Sequence, residues 1–123
     1  MTRRRMVVGL VTITSLFLMA TPVFSDTTAF QTTVTATLVT SDDSFGGCMA
    51  KVQAKIYRAL PSCTPNWVTF SCTGDFTSEV RAWRMLDQAQ LALATGAPVF
   101  LVVTDEQQHN GHCQALRIDV RAP

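Results

Sequence analysis

The chain has 123 residues, 47% of them hydrophobic, and a formal net charge of +1. That length admits a single domain. Near-neutrality with no cluster of Lys and Arg outside the first few residues argues against nucleic acid as a partner, because a phosphate backbone calls for a basic face.

Arg3, Arg4 and Arg5 open the chain as a positive segment, and Met6 to Met19 is apolar apart from Gly9, Thr12, Thr14 and Ser15. Val23 and Ser25 then occupy the −3 and −1 positions of a cleavage site, with Thr21 and Pro22 just upstream. Charge, apolar run and small residues in that order make a secretory signal peptide of residues 1–25 and a mature domain of residues 26–123. Thr2-Arg3-Arg4 loosely resembles a twin-arginine signal, but the strongly apolar run favours the general secretion route. The alternative is an N-terminal membrane anchor, yet the run falls short of the roughly 20 residues of a comfortable span. No second apolar segment of that length follows, so no membrane span is expected after cleavage, and the protein is expected to be secreted or periplasmic.

Cleavage after Ser25 leaves 98 residues and removes three of the ten basic ones, so that seven face nine acidic residues. A domain of this size buries only about 60–65% of its unfolded surface, which makes cross-links valuable. Cys48, Cys63, Cys72 and Cys113 all lie in this part. An even number of cysteines in a short exported chain reads as two disulfides, with three pairings possible. No Cys-x-x-Cys is present to favour zinc.

Asp26 to Phe30 reads as a loose terminus. Thr32 to Val39, T-T-V-T-A-T-L-V, is β-branched and alternating, and predicts a strand. Ser41 to Gly47, S-D-D-S-F-G-G, has turn chemistry. Met49 to Leu60 predicts a second strand, with Val52, Ala54 and Ile56 on one face and Lys51, Gln53, Lys55 and Tyr57 on the other. Pro61 to Pro65 interrupts, and Trp67 to Cys72 predicts a third strand. A helix capped by Asp75, Thr77 or Ser78 is expected to run to about Thr95, with Gly96 as its stop and Pro98 preventing resumption. Pro98 to Thr104 predicts a strand buried on both faces. Asp105 to Gly111 predicts a polar hairpin loop turning at Asn110-Gly111. His112 to Val120 predicts a last strand with Leu116, Ile118 and Val120 on one side.

The order is β-β-β-α-β-β. A mainly β chain with one helix between strands three and four of five has the layout of an OB-fold, a small Greek-key barrel. An open α+β sheet with the helix on one face is the alternative. On the helix, Ala82, Met85, Leu86, Ala89, Ala92 and Leu93 form an apolar stripe able to pack on the barrel. Val80, Trp83, Leu91 and Ala94 form a second apolar side, broken only by Asp87, which is either a subunit contact or simply covered by a loop.

Catalytic chemistry finds no foothold. There is no G-x-S-x-G elbow, oxidised cysteines are lost as nucleophiles, and the acidic residues fall in turns and on the helix rather than as a buried pair. His109 and His112, with Asp105 and Glu106, are the one metal-like grouping, but a hairpin loop lacks the fixed spacing of a helix. No catalytic residue, metal ligand or cofactor is expected. OB barrels bind on the face of strands two and three and through the loops after strands one and four. That places Ser41, Asp42, Asp43 and Ser44 in one candidate loop, and Asp105, Gln107, His109 and Asn110 in the other. Tyr57 and Trp67 are flat apolar surfaces of the kind sugars stack on.

From Val80 to Val103 the chain reads V-R-A-W-R-M-L-D-Q-A-Q-L-A-L-A-T-G-A-P-V-F-L-V-V. Leu86-Asp87-Gln88-Ala89, the step Thr95-Gly96 into Val99, and Cys72 ahead of the helix resemble the binding (B) subunits of pentameric bacterial toxins of the subtilase-cytotoxin and typhoid-toxin type. The resemblance covers about 25 residues well and the rest by order of elements. It implies an OB-fold, a ring of five subunits with the second helix face lining its centre, and recognition of host glycans. Thr104, Asp105 and Glu106 offer no counterpart to the tyrosine such subunits tend to carry after strand four, and their C-terminal extension has no match before Pro123, so no glycan-binding residue is carried over. The implied fold puts the start of strand two beside the end of strand three, and the starts of strands three and five together. It therefore implies the pairings Cys48–Cys72 and Cys63–Cys113.

The leading expectation is thus an exported, non-enzymatic OB-fold binding module, an oligomeric glycan-binding subunit. The alternatives are a monomeric secreted or periplasmic domain that binds or inhibits another protein, and a small metal-binding protein or hydrolase resting on His109 and His112.

Overall fold

A computed structural model describes residues 25–122. The expected signal peptide therefore lies outside the described residues, except for Ser25. Five strands and one helix follow in the order β1 (Thr27–Val39), β2 (Cys48–Val52), β3 (Trp67–Thr69), α1 (Glu79–Thr95), β4 (Pro98–His109) and β5 (His112–Val120). Short 3-10 turns at Asp43–Phe45 and Ile56–Arg58 flank β2. The strands pair in the cycle β1-β2-β3-β5-β4 and close as a barrel, not as an open sheet. Only β3 and β5 run parallel.

Closure depends on β1. Its first half pairs with β4 from Thr27↔Thr104 to Thr33↔Pro98, and its second half pairs with β2 from Val34↔Val52 to Val39↔Cys48. A bulge between Val34 and Ala36 lies at the junction, where such an insertion bends and twists a strand. Asp26 to Phe30 is accordingly not a loose terminus. Thr27, Thr28 and Phe30 have good strand propensity, and β4 supplies the edge that satisfies their backbone.

Three further expectations are corrected. First, β2 stops at Val52. Beyond it the ladder gives way to other partners: Gln53 N–H donates to the Thr33 carbonyl, Ala54 N–H to Thr32 Oγ1, and Ile56 N–H to the Pro65 carbonyl. Ile56 is still buried, but Tyr57 rides on a 3-10 turn instead of a strand and is 42% exposed. Second, β3 ends at Thr69, and Ser71 adopts a left-handed φ of 60°, so the chain turns before Cys72. Third, Asp105 to His109 belongs to β4. The hairpin loop shrinks to Asn110-Gly111, both at positive φ (51° and 81°), the requirement of a tight two-residue turn.

The barrel interior is filled from alternate positions: Val34, Ala50, Val52, Val68, Val99, Leu101, Val103 and Ala115. Within β4, Phe100 and Val102 are only half-buried, and Phe100 lies under the guanidinium of Arg121, 4.8 Å from its ring centre. On β5, the register skips at Leu116, between Arg117↔Val102 and Ala115↔Val103. Leu116 is thereby turned outward (48% exposed), while Ile118 stays in the core.

Ser78 is the N-cap of α1, its Oγ accepting from Arg81 N–H, and Gly96 at φ 70° ends it in the left-handed conformation that glycine tolerates best. The helix packs against β1, β5 and β2. Ala82, Leu86, Ala89 and Ala92 are buried, Met85 is half-buried, and Leu93 is exposed, so the buried stripe is narrower than expected. Among the described residues no helix is long and apolar enough to cross a membrane. The four cysteines form Cys48–Cys72 and Cys63–Cys113, the pairings that the OB-type layout implies.

Candidate functional site

Strand parity creates an apolar cleft. Cys48, Ala50 and Val52 of β2 join the core, which leaves Met49 and Lys51 facing outward. Leu38 pairs with Met49, and Trp67 pairs with Lys51, so Leu38, Met49 and Trp67 share the outer face of β1, β2 and β3. With Phe45 and His112 they wall a cleft of about 210 Å³.

Phe45 is held there by the loop after β1. Thr69 Oγ1 donates to the Phe45 carbonyl at 3.0 Å. Ser44 N–H donates to Asp42 Oδ1 at 2.8 Å, a cap on the 3-10 turn. Hydrogen bonds from the Ser44 side chain and backbone hold the Asp42 carboxyl below its ordinary value. Gly46 then turns at φ 71°, where an added Cβ would stand 2.5 Å from His109 Cδ2 and 2.6 Å from Thr69 Oγ1. Only glycine suits both the conformation and the space.

The tip of the β4–β5 hairpin leans on this same loop. His109 and His112 pair across the turn and touch its consecutive residues. The His112 ring meets Phe45 edge-on at 5.4 Å, and His109 lies against Gly46. His112 Nδ1 is 2.7 Å from Thr64 Oγ1, whose hydroxyl donates to the Trp67 carbonyl at 3.3 Å. The tautomer of the His112 ring sets which of the two partners, Thr64 Oγ1 or Nδ1, donates across this contact. Burial pushes the His112 imidazole below its ordinary value, since desolvation penalises the charged form.

His109 has a different setting. Its Nε2 is 3.0 Å from Ser71 Oγ and 3.7 Å from Asp75 Oδ2, and its ring lies 4.3 Å from that of Phe76. Serine, histidine and aspartate together invite a hydrolytic reading, but the geometry is not that of a relay. Carboxylate and hydroxyl meet the same ring nitrogen, whereas a relay places the acid on the other one. Ser71 is fully buried, and its Oγ accepts from Phe76 N–H at 3.2 Å. The cluster clamps the segment between β3 and α1 to the hairpin.

The expected ligand residues are thus divided. Trp67 lines the cleft, and Ser41, Asp42, Asp43 and Ser44 form the exposed loop that delivers Phe45 to it. Asp105 is occupied elsewhere, accepting from Asp26 N–H at 2.7 Å and from the Ser62 hydroxyl at 3.4 Å, where it secures the start of β1. Gln107 lines a second cavity, Asn110 makes the turn, and Tyr57 does not line the cleft. Phe45, Leu38, Met49 and His112 are additions. The outward parity of Met49 was readable from the faces of β2, but the fold of the turn around Phe45 was not. Among the described residues no group of three or more His, Cys, Asp or Glu is placed to hold a metal ion. No family model, curated protein or solved structure matches the chain.

Proposed function

We propose that the protein is an exported, non-enzymatic binding module of the OB type that takes a glycan in the Trp67 cleft. The observation that carries this reading is the position of the cleft. It lies on the outer face of β2 and β3, beside the loops after β1 and β4, where OB barrels take their ligands. Trp67 and Phe45 offer apolar ring surface to the CH face of a sugar, and the Ser41–Ser44 loop beside them supplies short polar side chains for its hydroxyls. Two disulfides suit an oxidising compartment.

Binding to a glycan array by the oxidised protein, lost in Trp67→Ala, is the expected result. An array without a bound sugar would overturn the glycan assignment. The ring of five subunits belongs to the same reading, with the exposed residues Val80, Trp83, Leu91 and Ala94 of α1 as its contact. Light scattering at micromolar concentration tests it: a mass of five subunits supports the ring, and a monomer removes it.

A second reading, a domain that binds or inhibits another protein, is favoured by the side chains walling the cleft, which His112 aside are apolar and suit a partner's apolar side chain. Pull-down partners that free sugar does not displace would favour this reading over the first.

A further inference from the structure

A second cavity, of about 510 Å³, opens between β5, the start of α1 and the irregular stretch of β4. Its chemistry is the reverse of the Trp67 cleft. Arg81, Arg84 and Arg117 line it, three of the seven basic residues that follow Ser25, and no carboxylate is among its lining residues. Arg117 is engaged, with Nε and Nη2 donating to Asp119 at 2.8 Å and 2.6 Å. Among the described residues, Arg81 and Arg84 have no ion pair.

Gln114 points independently to a ligand. It lines the cavity, is 2% exposed, and its Oε1 is buried without a hydrogen-bond partner. A buried carbonyl oxygen without a donor is costly, and native proteins rarely keep one unless something supplies the hydrogen. The strand geometry explains why Gln114 is there: its neighbours Cys113 and Ala115 face the core, so parity sends Gln114 to the outer face, where Gln107 and the segment before α1 wall it in. Phe76, Met85 and Leu116 add apolar surface.

We propose that this cavity binds a small organic acid: a carboxylate for Arg81 and Arg84, an N–H or O–H donor for Gln114 Oε1, and an apolar body. The volume lies within the range of small-molecule sites, and planar guanidinium groups match carboxylate geometry. The site is separate from the Trp67 cleft and stands whether or not that cleft binds a glycan.

The test is amide NMR on the oxidised domain with three probes. N-acetyl-L-phenylalanine has carboxylate, donor and apolar body. N-acetyl-L-phenylalaninamide lacks the charge, and 3-phenylpropanoate lacks the donor. The first is expected to move the signals of Gln114, Leu116 and Arg84 saturably at millimolar concentration, and the amide to leave them in place. Arg81→Ala with Arg84→Ala is expected to weaken binding about tenfold, the equivalent of one charge-assisted hydrogen bond. Gln114→Leu keeps the fold, since it replaces an orphan polar group by an apolar one of similar size. It should weaken N-acetyl-L-phenylalanine several-fold and leave 3-phenylpropanoate unchanged. Signals that stay put, equal shifts by acid and amide, or full affinity in the double arginine variant would each overturn the proposal. Equal loss of both acids in Gln114→Leu would remove the role of Gln114.

Discussion

The two outer surfaces of the barrel are built by the same rule and have opposite chemistry. On β2 and β3, outward parity turns Met49 and Trp67 to the outer face, where Phe45 and His112 join them around the cleft. On β5 it turns the buried Gln114 toward the outer face, with arginines from α1 and β5 around it. One cleft is apolar and aromatic, and the other is basic with a buried amide at its wall. A closed barrel commits its inner residues to packing and leaves each outer face free to vary, so one small domain can present two surfaces of unrelated chemistry. The clefts also differ in support. The first is held by a disulfide and two histidine contacts, whereas the second is framed by a helix start and a strand.

That difference in support can be broken experimentally. The largest effect is expected from Cys63→Ser with Cys113→Ser. Cys63 precedes Thr64 and Cys113 follows His112, so this bond anchors the Thr64–His112 wall of the aromatic cleft. Its separation of 50 residues corresponds to about 4 kcal/mol of lost stability in the chain-entropy account, against about 3.5 kcal/mol for Cys48–Cys72 with 24. Urea unfolding of the two double variants checks the order, and a larger loss from Cys48–Cys72 would show that loop closure is not the deciding factor.

Gly46→Ala comes next. A side chain at φ 71° that meets His109 and Thr69 is expected to cost about 1–3 kcal/mol, read as a lower thermal midpoint. Adding His109→Ala should recover part of that loss by removing one of the two close contacts.

Trp67→Ala sharpens the contrast at the ligand. It should weaken binding in the aromatic cleft by about 1–3 kcal/mol and leave the response of Gln114 and Arg84 to an acid unchanged, as expected for a local aromatic anchor. Coupled losses at both sites would mean that the two surfaces are not independent.

The smallest effect concerns acidity. The folded His112 imidazole lies below its ordinary value of 6.5, so between those two values the unfolded chain binds more protons than the folded one. The contribution of the neutral, buried ring is fully present above 6.5 and is lost as pH falls toward the folded value. Thermal midpoints are therefore expected to decline on acidification through this range in the native protein, and less steeply in His112→Gln. Equal slopes would show that His112 does not carry the effect.

Much of the fold was legible. The helix ends, marked by Ser78 and Gly96, and the turn at Asn110-Gly111 follow from local stereochemistry, because a cap or a positive φ is set by a residue and its near neighbours. The order β-β-β-α-β-β was equally readable from period and punctuation. The extents of β1, β2, β3 and β4 were not. Alternation at Val52, Ala54 and Ile56 looked like a strand, yet that segment bonds to Thr32, Thr33 and Pro65 in place of a ladder. Trp67 and Tyr57 stand out alike by their flat apolar faces, but Trp67 lines the cleft whereas Tyr57 rides on a 3-10 turn, and Asp105, expected in the loop after strand four, is engaged by the distant Asp26 and Ser62.

By itself, then, the sequence determined the elements whose cause is local: caps, turns, the helix and the outward or inward parity of β2, whereas the parity of β5 changes at its bulge. Only the tertiary structure decided how far each strand extends, that β1 bends at its bulge to close the barrel, and that Phe45 and His112 complete one cleft while Gln114 is walled into another. These depend on residues far apart in the chain that supply each other's hydrogen bonds and cover each other from water, and no local pattern records that pairing.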